Sequence, residues 1–197
     1  MHVPPVFKNN RVALLIVLML VAVPFAAADS FSITTNNLGL SGVLGTVTTT
    51  QVGSNVNVSI QMNSGYAFLV NGGDLGFTTT GGLVLADGSL TNFSLAGMTS
   101  SLKNNNTIGG FTFDYIFKTS VSGGQQFPTS LTFTIQNASV SQISGLGIHL
   151  CVLGGDGCST TGFATTTPTP VPEPATLTML GTGLIGLGGL ARRRFKK

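Results

Sequence analysis

The sequence predicts an all-β fold, an antiparallel β-sandwich or jelly-roll over residues 29–167, with one apolar helical segment at each end of the chain. Three observations predict it. Hydrophobic and polar residues alternate in short runs: "VNVSIQM" (56–62), "FTFDYIFK" (111–118) and "LTFTIQ" (131–136). A period of two sends successive side chains to opposite faces of a strand. Turn signals such as "GSN", "NGGD", "ADGS", "KNNN" and "GGDG" separate the runs. No middle stretch carries helical periodicity over eleven residues. About 140 residues suffice to bury one core.

Residues 1–28 read as a secretory signal. Lys8 and Arg11 supply the basic start, and "VALLIVLMLVAV" (12–23) supplies twelve apolar residues. As a helix that run reaches only about 18 Å, short of a bilayer core of about 30 Å. Ala26 and Ala28 fit the small-residue positions that signal peptidase requires, which places cleavage before Asp29. The alternative is an uncleaved anchor.

Between Asp29 and Pro170 the chain is nearly free of charge. Lys103 and Lys118 face five acids, Asp29, Asp74, Asp87, Asp114 and Asp156, and no arginine occurs. Nucleic-acid binding needs several cations to neutralise phosphates, so that class is excluded. In "FTFDYIFK" the alternation puts Phe111, Phe113, Tyr115 and Phe117 on one face, with Ile116 as the exception.

Cys151 and Cys158 flank a Gly-Gly-Asp-Gly turn in an exported segment, which reads as a hairpin disulfide. Free thiols, or a metal site with His149 and Asp156, are the alternatives. His149 is the one histidine left after signal removal, and no G-x-S-x-G elbow accompanies it. A structural strand histidine is the expectation. No two of the interior aspartates lie within ten residues of each other, so no carboxylate pair is apparent. No catalytic residue, cofactor or metal is expected.

The tail is organised differently. Pro168, Pro170, Pro172 and Pro174 alternate, which favours extended backbone over residues 168–173. Residues 174–191, "PATLTMLGTGLIGLGGLA", carry no charge. Eighteen residues of helix span about 27 Å, enough for a slightly thin membrane. Residues 192–197 follow, and Arg192, Arg193 and Arg194 form a stop-transfer cluster held on the cytoplasmic side. "GTGLIG" (181–186) matches a dinucleotide-binding fingerprint letter for letter. That fingerprint needs a preceding strand and an acid about 20 residues further on. Here the last acid is Glu173, so the glycines are expected to serve close helix approach within the membrane.

"VPEP" at Val171, Pro172, Glu173 and Pro174, then a glycine-rich span, then "RRR", resembles the PEP-CTERM sorting signal of bacterial exported proteins. The resemblance implies recognition at Pro172, Glu173 and Pro174 by an exosortase, a membrane-embedded cysteine transpeptidase-like enzyme. This chain would be its substrate. The implied route is export, a membrane-anchored intermediate held by lipid, tail removal, and passage to the cell surface or an exopolysaccharide matrix. The expected role is non-enzymatic, structural or adhesive. The alternatives are a secreted carbohydrate-binding module, with Tyr66 and Tyr115 as its only tyrosines, or a secreted hydrolase.

Overall fold

The computed structural model describes residues 27–155 and 157–168. In chain order the described strands are β1 (Ala28–Asn36), β2 (Gly45–Val52), β3 (Asn55–Met62), β4 (Tyr66–Phe68), β5 (Asp74–Thr79), β6 (Leu90–Thr91), β7 (Thr99–Leu102), β8 (Thr107–Ile108), β9 (Phe111–Thr112), β10 (Tyr115–Ser120), β11 (Ser130–Ile135), β12 (Ile143–Gly154) and β13 (Gly157–Pro168). A 3-10 turn at Val140–Gln142 precedes β12. Eleven strands join one antiparallel sheet in the order β6-β11-β3-β2-β1-β13-β12-β5-β10-β7, with β4 paired to β12 beside this path.

The predicted antiparallel all-β class is observed. Where the sequence suggested two stacked sheets or a jelly-roll, the hydrogen bonds run through one sheet that curls into a nearly closed barrel. Right-handed strand twist accumulates across so many strands and bends the sheet around a single interior. Phe77 on β5 records the curling. Its ring meets Phe117 of neighbouring β10 edge-on at 5.9 Å, and it meets Phe133 of β11, near the other end of the path, at 6.1 Å. All three side chains are fully buried. Each contributes about 1.5–3 kcal/mol by leaving water, and edge-to-face geometry suits the ring quadrupoles. The opposite sheet edges are also tied by sequence, because only residues 92–98 separate β6 from β7.

Two predicted runs fold as read. β3 buries Val56, Val58, Ile60 and Met62, and β11 buries Leu131, Phe133 and Ile135. The run at 111–118 does not form one strand. It breaks at Phe113 and Asp114 into β9 and β10, and its aromatics divide between two cores. Phe117 and Tyr115 face the barrel interior, whereas Phe113 joins Ile108 and Ile116 in a separate cluster flanked by Phe111 and Phe163. The small β8-β9 hairpin makes this second core by folding over the outside of the sheet. Ile116, the exception to the alternation, is fully buried beneath it. Asp114 fixes the break, since its Oδ2 accepts the Thr79 N–H at 2.7 Å and the Thr79 hydroxyl at 3.2 Å.

β12 and β13 carry the centre of the sheet, and β13 pairs β12 on one side and β1 on the other. The signal segment up to Ala26, Asp156, the sorting residues Val171 to Pro174, the span 174–191 and the stop-transfer arginines 192–194 lie outside the described residues.

Candidate functional site

The sorting region follows directly from the last strand. β13 pairs through Pro168, which stands opposite Phe31 of β1, and Val171 lies three residues further along the chain. The other processing position lies on that same neighbouring strand. Ala28 pairs with Thr50 and Asp29 with Thr49, so the expected cleavage between them falls at the first rungs of β1. Cleavage there would remove Ala28 and the Ala27 carbonyl that accepts the Gln51 N–H, and would leave the pairing from Asp29 onward.

Three carboxylates and a histidine are placed by the barrel's own contacts. Lys103 Nζ stands 2.8 Å and 2.9 Å from the two oxygens of buried Asp74. The Asp87 carboxylate accepts the Leu102 N–H, and Asp114 is held by Thr79. Among the described residues these three carboxylates therefore have separate structural partners. His149 lies half-buried on β12 and stacks on Phe163 of β13, with ring centroids 4.3 Å apart. Burial lowers its pKa below 6.5; the Asp74 charge opposes this and the Lys103 charge adds to it. Its Nδ1 is buried without a hydrogen-bond partner. The cavity that His149 shares with Asp74 and Thr119 holds about 10 Å³, room for roughly one water. The Thr119 hydroxyl there donates to the Gly73 carbonyl at 3.0 Å.

Cys151 and Cys158 are joined by a disulfide with their Cα atoms 5.5 Å apart, across the turn between β12 and β13. That is the pairing read from their spacing. Its position beside the fully buried Cys151 makes it a staple of the central hairpin.

Neither tyrosine is an exposed stacking platform. Tyr66 is half-buried against the main core, and the Tyr115 hydroxyl donates to the Leu83 carbonyl at 2.9 Å. A different surface was missed in the sequence. Thr48, Ser59 and Thr132 stand in one row across β2, β3 and β11, and Thr50, Asn57 and Thr134 stand in the next. They line a groove of about 620 Å³ that carries no charged side chain. Within it the Thr134 hydroxyl donates to Asn57 Oδ1 at 3.0 Å and accepts from Asn92 Nδ2 at 3.3 Å. Each strand shows small polar residues at alternate positions, threonine in β2 and β11 and Asn57 and Ser59 in β3, but only the sheet register brings the rows together.

Residues 170–194 match the family model of the PEP-CTERM protein-sorting motif. The resemblance read from "VPEP", the glycine-rich span and the arginines is thereby borne out, and it marks the chain as consistent with an exosortase substrate. No curated protein and no solved structure matches the chain.

Proposed function

We propose that this is a non-enzymatic exported protein whose barrel is delivered by exosortase processing to the cell surface or an exopolysaccharide matrix, where it has a structural or adhesive role. The observation that carries the reading is the sorting motif at 170–194, which follows immediately after a strand central to the sheet. Removal of the tail beyond Pro172 would leave every described strand in place. The chemistry of the barrel supports the same role, since Asp74, Asp87 and Asp114 each have a structural partner and the His149 cavity admits about one water.

The test separates a processing signal from a plain anchor. Glu173 lies outside the apolar run, so Glu173→Ala should leave export and insertion intact while blocking tail removal in a host with a working exosortase. Fractionation and C-terminal mass analysis would read this. Departure of the variant from the membrane at the wild-type rate would refute the sorting role.

A second reading is favoured by the groove across β2, β3 and β11. Its rows of hydroxyls and amides, without charge, suit a neutral polyhydroxylated chain such as a glycan. Thr48→Val with Thr132→Val keeps the shape of the face and deletes two hydroxyls. Loss of glycan-array binding in that pair would support the reading, and silence of the unaltered protein across the array would end it.

A further inference from the structure

The first and last strands of the barrel are neighbours and run antiparallel, and this fixes where both chain ends leave. β1 enters the sheet at Ala28, opposite Thr50, and β13 leaves it at Pro168, opposite Phe31. Three rungs separate the two exits, about 10 Å along the strand, and adjacent strands lie about 4.8 Å apart. Both ends therefore leave one pole of the barrel. The same pole carries the turn between β2 and β3, the 3-10 turn before β12, and residues 80–89 between β5 and β6. The register places them there: Val52 pairs with Asn55 beyond the start of β1, and Ile143 pairs with Thr79 beyond the end of β13. The opposite pole carries residues 37–44, the turn between β3 and β4, and the disulfide hairpin.

We infer that the pole holding both exits faces the phospholipid surface while the tail is attached, and that the disulfide pole points outward. The inference rests on the membrane-anchored intermediate implied by the sorting motif. The six residue steps from Pro168 to Pro174 reach at most about 19 Å as extended polyproline-type backbone. Along β13 the disulfide pole at Gly157 lies eleven residues from Pro168, about 36 Å at 3.3 Å per residue. A tether shorter than the barrel, attached at one pole, holds that pole nearer the bilayer. Charge adds no adhesion. The near-pole segments 52–55, 79–90 and 136–143 contain Asp87 and no Lys or Arg. An anionic surface attracts through basic residues, each contributing about 1 kcal/mol near the surface. Orientation is therefore set by the tether, and it ends when the tail is cut.

Val84 is 79% exposed at the near pole, and Val43 is 47% exposed at the far pole. The tail-bearing protein is purified from a host without exosortase, carrying either Val84→Cys or Val43→Cys. It is labelled with a donor dye without reduction, so that the Cys151–Cys158 bond stays closed. The labelled protein is then inserted into vesicles of phosphatidylethanolamine and phosphatidylglycerol with a headgroup acceptor dye. Several-fold stronger energy transfer from position 84 than from position 43 is expected. The pair Val52→Cys and Ser64→Cys, the latter exposed in the turn between β3 and β4, repeats the comparison on other loops, so that one disturbed loop does not decide it. Equal or reversed transfer in the folded variants overturns this orientation and leaves the sorting role untouched. Failure of the protein to float with the vesicles would instead remove the anchor, and the sorting role would fall with it.

Discussion

Thr166 is buried in the sheet, yet its side chain is polar. Its Oγ1 accepts the Leu146 N–H at 2.9 Å, so the hydroxyl is satisfied without water. Buried Thr49 is placed similarly, its hydroxyl donating to the Asp29 carbonyl at 3.4 Å. Such residues hide a strand from a reading based on hydrophobic alternation, because threonine serves both faces. His149 is the residue whose burial should be visible in solution. Burial holds its pKa below 6.5, with Asp74 opposing and Lys103 reinforcing the shift. On acidification the unfolded chain therefore takes up this proton before the folded one does. The stability contribution is complete above pH 6.5 and is lost as pH falls below it towards the lowered folded pKa. Urea midpoints recorded from about pH 7.5 to about pH 5 should fall in the unaltered protein. The decline should be shallower in His149→Phe, which keeps an aromatic ring against Phe163. An identical decline in that variant would assign the titration to other groups. The histidine was legible in the sequence as a strand residue, but its stacking partner was not, since Phe163 is fourteen residues away and joins it only through β12-β13 pairing.

The β8-β9 hairpin is the element that the sequence concealed most completely. Its two strands are two residues each, too short for alternation to register. The signal present was the glycine beneath it. An added Cβ at Gly147 would come within 2.1 Å of the Phe113 ring, and one at Gly76 within 2.6 Å. These glycines form a floor on the outside of the sheet on which Phe113 lies. Gly147→Ala should therefore lift the ring and destabilise the protein by about 1–3 kcal/mol, the usual cost of overpacking. Most of that penalty should disappear in a Phe113→Ala background, where the added methyl has space. Denaturation of the two single variants and the double variant measures the coupling. Additive losses would show that Gly147 matters for a reason other than the hairpin. By contrast β3 and β11 were readable from sequence alone, because each sets apolar residues on one face and hydroxyl or amide residues on the other.

At the scale of the whole molecule the central question is what the last strand contributes to the fold. "GCSTTGFATTTP" has almost no hydrophobic pattern, and its threonine run resembles compositional noise. Yet β13 closes the gap between the first strand and β12, so its pairing is specified by neighbours on both sides. Backbone groups of a central strand cannot turn to water without breaking two ladders. A chain from Asp29 to Pro170 keeps all of those pairs, since the register with β1 runs to Pro168. It should unfold in urea as one cooperative transition. A chain from Asp29 to Thr160 retains Cys158 and the disulfide but loses Ala164 to Pro168, the residues that pair with β1. It would expose ladder edges on β1 and β12 in the middle of the sheet, together with the core around buried Ala164. The shorter chain should show no cooperative transition and bind hydrophobic dye in buffer. Matching urea midpoints for the two chains would mean that the barrel is complete without its last strand. The geometry argues otherwise, and it also explains why a sorting motif can begin so close to the fold: the final strand is locked on both sides, so cleavage a few residues beyond it would leave every β13 pair in place.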